Sequence, residues 1–304
     1  MASYGKIEYW DERYTRNSSK TEWIAGYELF ARLLTPNFLC LGTAPPPRMG
    51  IINTQDLNQW LIRHLGPLIR IKNDRSCVIH EDSELEYCTS HESELTVPFP
   101  PRDKARVLNV GCGSSSLSAD MIYYGWMDIV NVDYSKVIIE KMQERYGDEF
   151  FLSLESCIEH DVVLRHTLGL ESRDDHPQSE RPEPSMTFEH GDITKGINHP
   201  DESFDLIICK KTLDVILCSA RSVAAARAMM SECFRLLNNE HGVMMIVSSG
   251  KPEDRATFFE RDPWTGILNV KLPTHNDDAI KSHHRKMAEH YVYILYKQNI
   301  PASE

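Results

Sequence analysis

Gly111, Cys112 and Gly113 form a Gly-x-Gly step, and Asp133 follows Gly113 by 20 residues. These residue types at that spacing suit a nucleoside. Glycines let the backbone approach a ligand, the N–H groups opening the next helix face it, and a carboxylate ending the next strand accepts both ribose hydroxyls. The interval matches that expected between a glycine turn and its ribose-binding acid. A dinucleotide fingerprint places a third glycine at position 116, where this chain has Ser116. Without it the helix cannot start as close to a pyrophosphate, so a smaller, phosphate-free nucleoside is favoured. S-adenosylmethionine, with a ribose and an adenine but no phosphate, is such a ligand.

The elements that must position these residues are legible around them. VLNVGCGSSSLSADMIYYGWMDIVNVD, residues 107–133, reads as a strand over 107–110, the glycine turn, an amphipathic helix and a second strand over 129–132. A helix over 135–146 follows, with Ile138, Met142 and Tyr146 on one face. Strands are expected at 186–190, reaching Asp192, and at 204–209, running into Lys210, Lys211 and Asp214. A helix over 220–237, a strand over 243–248, a short helix from Pro252 and strands over 266–272 and 291–297 complete the series. That makes seven strands, five of them alternating with helices, and such alternation implies parallel strands with helices on both faces. Ligands of such sheets lie beyond the carboxyl ends of the strands, where Gly111, Asp133, Asp192 and Lys210 all fall.

Ahead of this core, residues 6–35 read as helical with a break near 17–20. Trp10 and Tyr14 are four apart and so share a face, as do Trp23, Tyr27, Phe30 and Leu34 on the second piece. These aromatics are either core or a lid whose rings face a sulfonium. Residues 1–36 are thus expected to be a helical lid, 37–102 an insertion with one amphipathic helix over 54–71, and 103–304 the core, itself interrupted at about 148–185. Within the first insertion Cys77, His80, Cys88 and His91 form two Cys-x-x-His pairs. Zinc sites use such ligands at short spacings, but the gap between the pairs fits no common finger, and a solvated loop is the plainer reading.

Composition narrows the class further. The 304 residues, 41% apolar and 26% charged, are ordinary for a folded soluble chain. No apolar run approaches the roughly 20 residues needed to span a bilayer, and the charged N-terminus lacks a signal-peptide core. Eight scattered cysteines suggest no disulfide framework, which points to a reducing, cytoplasmic setting. A formal net charge of −12 argues against nucleic acid, whose phosphates call for clustered Lys and Arg, and is compatible with a basic protein partner.

Four stretches, in this order, carry a resemblance: YWDERY with the later EW of TEWIAGYELFARLL; VLNVGCGSSSLS with DIVNVDYSKVIIEKM; HGDIT; and FDLIICKKTLDVIL with the closing HYVYILYK. The chain resembles the seven-strand class I S-adenosylmethionine-dependent methyltransferases, and within them the eukaryotic group containing the lysine methyltransferases of translation elongation factor one alpha. The resemblance implies an α/β, Rossmann-like doubly wound seven-stranded sheet, mostly parallel with an antiparallel last strand. It implies that Trp10, Tyr14 and Trp23 close over the cofactor, that Gly111 lies under its amino-acid portion with Gly113 also in the cofactor site, and that Asp133 holds the ribose with Tyr134 beside it. Asp192 and Ile193 would flank the adenine, and Lys210 would sit where methionine and target meet. The expected acceptor is a protein lysine amine, such as one of elongation factor one alpha, with Asp214 as a candidate for orienting the incoming ammonium or, equally, for capping the following helix or pairing with a lysine. A small-molecule acceptor or an inactive interaction module remain alternatives. Two departures stand out: Ser114-Ser115-Ser116 replaces the group's Asn-Ser-Glu, and Cys209-Lys210-Lys211 replaces its Asp-Lys-Gly.

Overall fold

A computed structural model describes residues 4–17, 69–72, 75–76, 103–123, 125–153, 183–220, 222–259, 264, 266–272 and 290–297. Its described strands are β1 (Ile69–Lys72), β2 (Arg75–Ser76), β3 (Arg106–Val110), β4 (Asp128–Asp133), β5 (Ser185–His190), β6 (Leu206–Lys210), β7 (Gly242–Ser248), β8 (Gly266–Leu272) and β9 (His290–Lys297). Its described helices are α1 (Ile7–Arg16), α2 (Leu117–Tyr123), α3 (Lys136–Arg145), α4 (Thr212–Leu217), α5 (Ser222–Leu236) and α6 (Pro252–Phe259).

All nine described strands share one sheet in the order β2-β1-β8-β9-β7-β6-β3-β4-β5. From β5 to β7 neighbours run parallel, and β9 runs antiparallel to both β7 and β8. This is the expected doubly wound sheet with an antiparallel last strand, and the seven anticipated strands lie within a residue or two of their expected bounds. The first insertion departs from expectation. Its helix was to reach residue 71, yet Ile69–Lys72 is a strand pairing antiparallel with β8. Ile69 and Ile71 offer β-branched residues beside an open sheet edge, and the ladder outweighs a weak helical period.

The strands are buried on both faces because helices cover both. Val107, Ile129, Leu206, Ile208, Met245 and Ile294 pack with Trp10, Tyr14, Leu117, Met121, Ile138 and Met142. Their sheet neighbours Leu108, Val110, Val130, Ile207, Met244 and Leu295 pack on the other side with Leu213, Met229, Met230, Cys233 and Phe259. All seven residues of β7 are buried, which is why it reads as a continuous apolar run rather than an alternation.

One buried polar network sits in this core. Asn109 Nδ2 donates to Ser118 Oγ and Asn131 Oδ1, both at 3.0 Å, and Asn131 Nδ2 donates to the Thr187 carbonyl at 3.1 Å. Partners that satisfy one another specify register, since a slip of any strand would leave amides buried and unpaired. The network ties β3, β4, β5 and α2 together directly beneath the glycine turn.

Candidate functional site

A cavity of about 220 Å³ opens at the carboxyl ends of β3, β4, β5 and β6. Trp10, Tyr14, Gly111, Gly113, Asp133, Tyr134, Asp192, Ile193 and Lys210 all line it. Of the residues expected to bind the cofactor, Trp23 lies outside the described residues, as do Cys77, His80, Cys88 and His91.

The floor is the turn after β3. Gly111 has φ 68° and Gly113 has φ 52°, the left-handed region that glycine enters without steric cost. A Cβ at Gly111 would lie 2.1 Å from the Thr212 hydroxyl, and one at Gly113 would lie 2.9 Å from the Tyr14 hydroxyl. The turn is held down by Gly111 N–H donating to the Val132 carbonyl at 2.7 Å, and Thr212 Oγ1 bonds the Val110 carbonyl at 2.8 Å. Thr212 was not singled out from sequence; nothing local marks a threonine as the neighbour of a glycine a hundred residues earlier.

Asp133 ends β4 and is 5% exposed. One carboxylate oxygen accepts from Gly113 N–H at 3.0 Å and the other from Ser135 N–H at 2.9 Å. A carboxylate offers about four acceptor directions, so each oxygen keeps capacity for a ligand hydroxyl. Burial pushes its pKa up to about 6 against the lowering effect of those two N–H groups. Asp133 is therefore a desolvated carboxylate, stabilised by any further donor.

Around it stand the aromatics. Tyr134, half-buried at the mouth, has a buried hydroxyl with no hydrogen-bond partner among the described residues. Burial, then the nearby Asp133 charge, raises its pKa and that of Tyr14, so both remain neutral donors. Asp192 caps the short turn Ile193–Lys195, accepting from Thr194 N–H at 3.0 Å and the Thr194 hydroxyl at 2.7 Å. Burial works to raise its pKa, but the Thr194 and Lys195 hydrogen bonds prevail and lower it.

Helix α1 crosses the cavity as a strap. On one side Lys141 Nζ donates to the Tyr14 carbonyl at 2.7 Å and the Ser135 hydroxyl donates to Asp11. On the other, Gly5 lies so close to Ser219 that a Cβ would stand 2.6 Å from its Cα. Between them the Trp10 and Tyr14 rings pack 5.7 Å apart.

The two departures can be placed. Ser116 Oγ donates to Asp120 at 3.0 Å, so a carboxylate stands one helical turn beyond the position where the group has Glu. Lys211 has φ 71°, the conformation natural to the glycine it replaces; a left-handed non-glycine residue costs roughly 1–2 kcal/mol. Lys211 Nζ pairs with Asp214 at 3.0 Å, which helps to hold that turn. Asp214 also accepts from Ser248 Oγ at 2.6 Å, Ser249 N–H at 2.9 Å and Arg255 at 2.7 Å. It does not line the cavity. Burial raises its pKa, but the Lys211 charge and these hydrogen bonds together lower it. The sequence left two uses open for Asp214; the geometry fits the pairing one, fixing the turn that carries Lys210.

An orphaned tyrosine hydroxyl, a carboxylate with acceptor capacity and a glycine cradle that side chains would fill suit a nucleoside with a short charged arm. Sequence comparison with known proteins points the same way. Residues 108–245 match the family described as a methyltransferase domain. The chain is 30% identical over 201 residues to the eEF1A lysine and N-terminal methyltransferase of Bos taurus, covering 65% of this chain and 24% of that one. It is 28% identical over 153 residues to EEF1A lysine methyltransferase 4 of Mus musculus, covering 48% and 46%. It thus spans less than half of either relative. Among solved structures, the N-methyltransferase NodS of Bradyrhizobium japonicum in complex with S-adenosylhomocysteine overlaps 64% of this chain and 78% of its own, at 11% identity and a TM-score of 0.39. With the glycine turn, the strand-end acid and the parallel sheet all in the region that matches a methyltransferase domain, the chain resembles the class I methyltransferases whose cofactor is S-adenosylmethionine, and among them the group containing the elongation-factor lysine methyltransferases.

Proposed function

We propose that this protein is a protein-lysine methyltransferase acting in the cytoplasm on a protein such as elongation factor one alpha. The observation that carries the reading is the strapped cavity, whose polar groups match the cofactor and whose wall toward α4 and α5 includes the apolar Val215, Ile216 and Ala225 beside Thr212 and Ser219. Of the two relatives named above, one is by name an eEF1A lysine and N-terminal methyltransferase and the other an eEF1A lysine methyltransferase. No helix among the described residues is long and apolar enough to cross a membrane.

S-adenosylmethionine bound here supplies an electrophilic methyl on a sulfonium. The chain's own residues align and exclude water. Asp133 and Tyr134 fix the nucleoside, the Gly111 turn lets it lie against the sheet, and α1 covers it. Alignment and exclusion of water are the main contributions a protein makes to an in-line displacement. A lysine acceptor must arrive neutral; from a reference pKa near 10.4 this costs about 4–5 kcal/mol at pH 7. The apolar part of that wall opposes a charged amine, and so favours the nucleophilic form.

The reading is tested by incubating the protein with methyl-labelled S-adenosylmethionine and either recombinant elongation factor one alpha or a cell extract split into protein and small-molecule fractions. Label on a lysine of the protein fraction, located by mass spectrometry, is the expected result. Label confined to small molecules would move the acceptor to that class. No transfer by a folded, cofactor-binding protein would leave the interaction module.

A further inference from the structure

The strap α1 is gripped along α3. Lys141 of α3 donates to the Tyr14 carbonyl at 2.7 Å and the Thr15 carbonyl at 3.4 Å, so a cation stands at the last turn of α1. Nearer the cavity, Ser135, fully buried and the N-cap of α3, joins the strap to the strand-end acid. Its N–H donates to Asp133 at 2.9 Å, and its hydroxyl donates to Asp11 of α1. The carboxylates of Asp133 and Asp11 are therefore one hydrogen bond each from the same residue. Asp11 does not itself line the cavity, so its influence on a bound ligand passes through another group.

Two like charges brought that close oppose each other. The opposition is felt at Asp133, where Asp11 adds to the effect of burial in raising the pKa, while His190 of β5 acts the other way. Glu8, one turn before Asp11, adds to the negative field of α1 around Tyr134, on which Asp133 and Asp192 also act. What holds the two carboxylates together is the Ser135 hydroxyl and the N-terminus of α3, whose free N–H groups and dipole favour negative charge. Closure of α1 thus sets the Ser135 bond and the packing of Trp10 and Tyr14 against repulsion from Asp133. A helix of this length has little stability of its own, so a change of charge at Asp133 moves the balance.

A ligand that donates hydroxyls to Asp133 spreads its charge, and the repulsion falls while the bond from Ser135 to Asp11 remains. We propose that Asp11 and Ser135 are positioning residues that couple the strap to the ribose acid, so that α1 closes fully only when hydroxyls occupy Asp133. The inference rests on the cofactor reading above and adds to it the signal that closes the strap. By linkage, the closed strap holds the nucleoside more tightly by the same factor as the nucleoside favours closure.

The test is hydrogen–deuterium exchange at neutral pH, read on peptides of α1, with peptides of β7 as the internal control of folding. In the wild type, S-adenosylhomocysteine should slow exchange of α1 about tenfold, a usual strength of coupling between two sites. Asp11→Asn keeps an oxygen for the Ser135 hydroxyl and loses the charge. Its α1 should therefore exchange slowly without ligand, and the ligand should add less than about threefold, because little coupling is left. Asp133→Asn removes the other charge and should slow the ligand-free strap likewise, with the double variant no slower than either. Ser135→Ala should instead speed exchange of α1 in both states. Were Asp11 merely a structural contact, Asp11→Asn would exchange faster; that result, or ligand slowing of equal size in Asp11→Asn and the wild type, would overturn the coupling. Titration calorimetry runs alongside. A wild type that binds no S-adenosylhomocysteine would remove the cofactor reading, and the coupling with it, whereas binding without slowing of α1 would remove the coupling alone.

Discussion

Asp133 is the residue proposed to hold the ribose, and its chemistry sets a pH dependence. Its pKa in the folded protein is raised to about 6 by burial. A raised carboxylate favours folding below the unfolded pKa and loses that contribution as pH rises through 6. At neutral pH the folded protein thus bears an ionised buried carboxylate at a cost of about 3 kcal/mol. Ribose hydroxyls donating to it would offset that cost and pull the pKa back down. Binding of S-adenosylhomocysteine should therefore release a proton near pH 5.5, release almost none at pH 7.5, and tighten as pH rises between them. Calorimetry in buffers of different ionisation enthalpy reads this directly. Asp133→Asn should abolish the proton release and weaken binding by about 1–3 kcal/mol. Affinity that stays flat from pH 5 to 7 in the wild type would show that the ribose is held elsewhere.

At the scale of elements, α1 depends on contacts it cannot make alone. It spans Ile7–Arg16, and isolated helices this short are marginal in water. Its packing through Trp10 and Tyr14, the Lys141 bond and the Gly5 contact with Ser219 keep it over the cavity. Gly5 has no room for a side chain, so Gly5→Val should lift one end of the strap while leaving the sheet untouched. The expected outcome is S-adenosylhomocysteine dissociating about tenfold faster in stopped flow, ~1.4 kcal/mol, with a small change in melting temperature. An unchanged rate would mean that the cofactor leaves by another face.

Over the whole molecule, charge governs encounter more than fold. With a net charge of −12, the protein should attract a basic protein acceptor over distances that salt shortens to about 8 Å at physiological ionic strength. Raising salt should increase the KM for a basic protein substrate several-fold while changing cofactor affinity less. Steady-state methylation at two salt concentrations tests this. A KM indifferent to salt would point to an acceptor recognised without electrostatic steering.

What the sequence determined by itself was whatever is written locally. The alternation of buried strands and amphipathic helices, the two glycines before α2 and the acid ending β4 follow from residue type and spacing over a few turns of chain. Most of the sheet and the Asp133 end of the site were legible for that reason. What the tertiary structure decided lies between residues distant in the chain. It set Thr212 against Gly111, engaged both oxygens of Asp214 with α6 and the end of β7, and turned residues 69–72 into an added strand beside β8. Ladders and buried ion pairs form only when the sheet brings their partners together, and no local period of the sequence records which partner that will be.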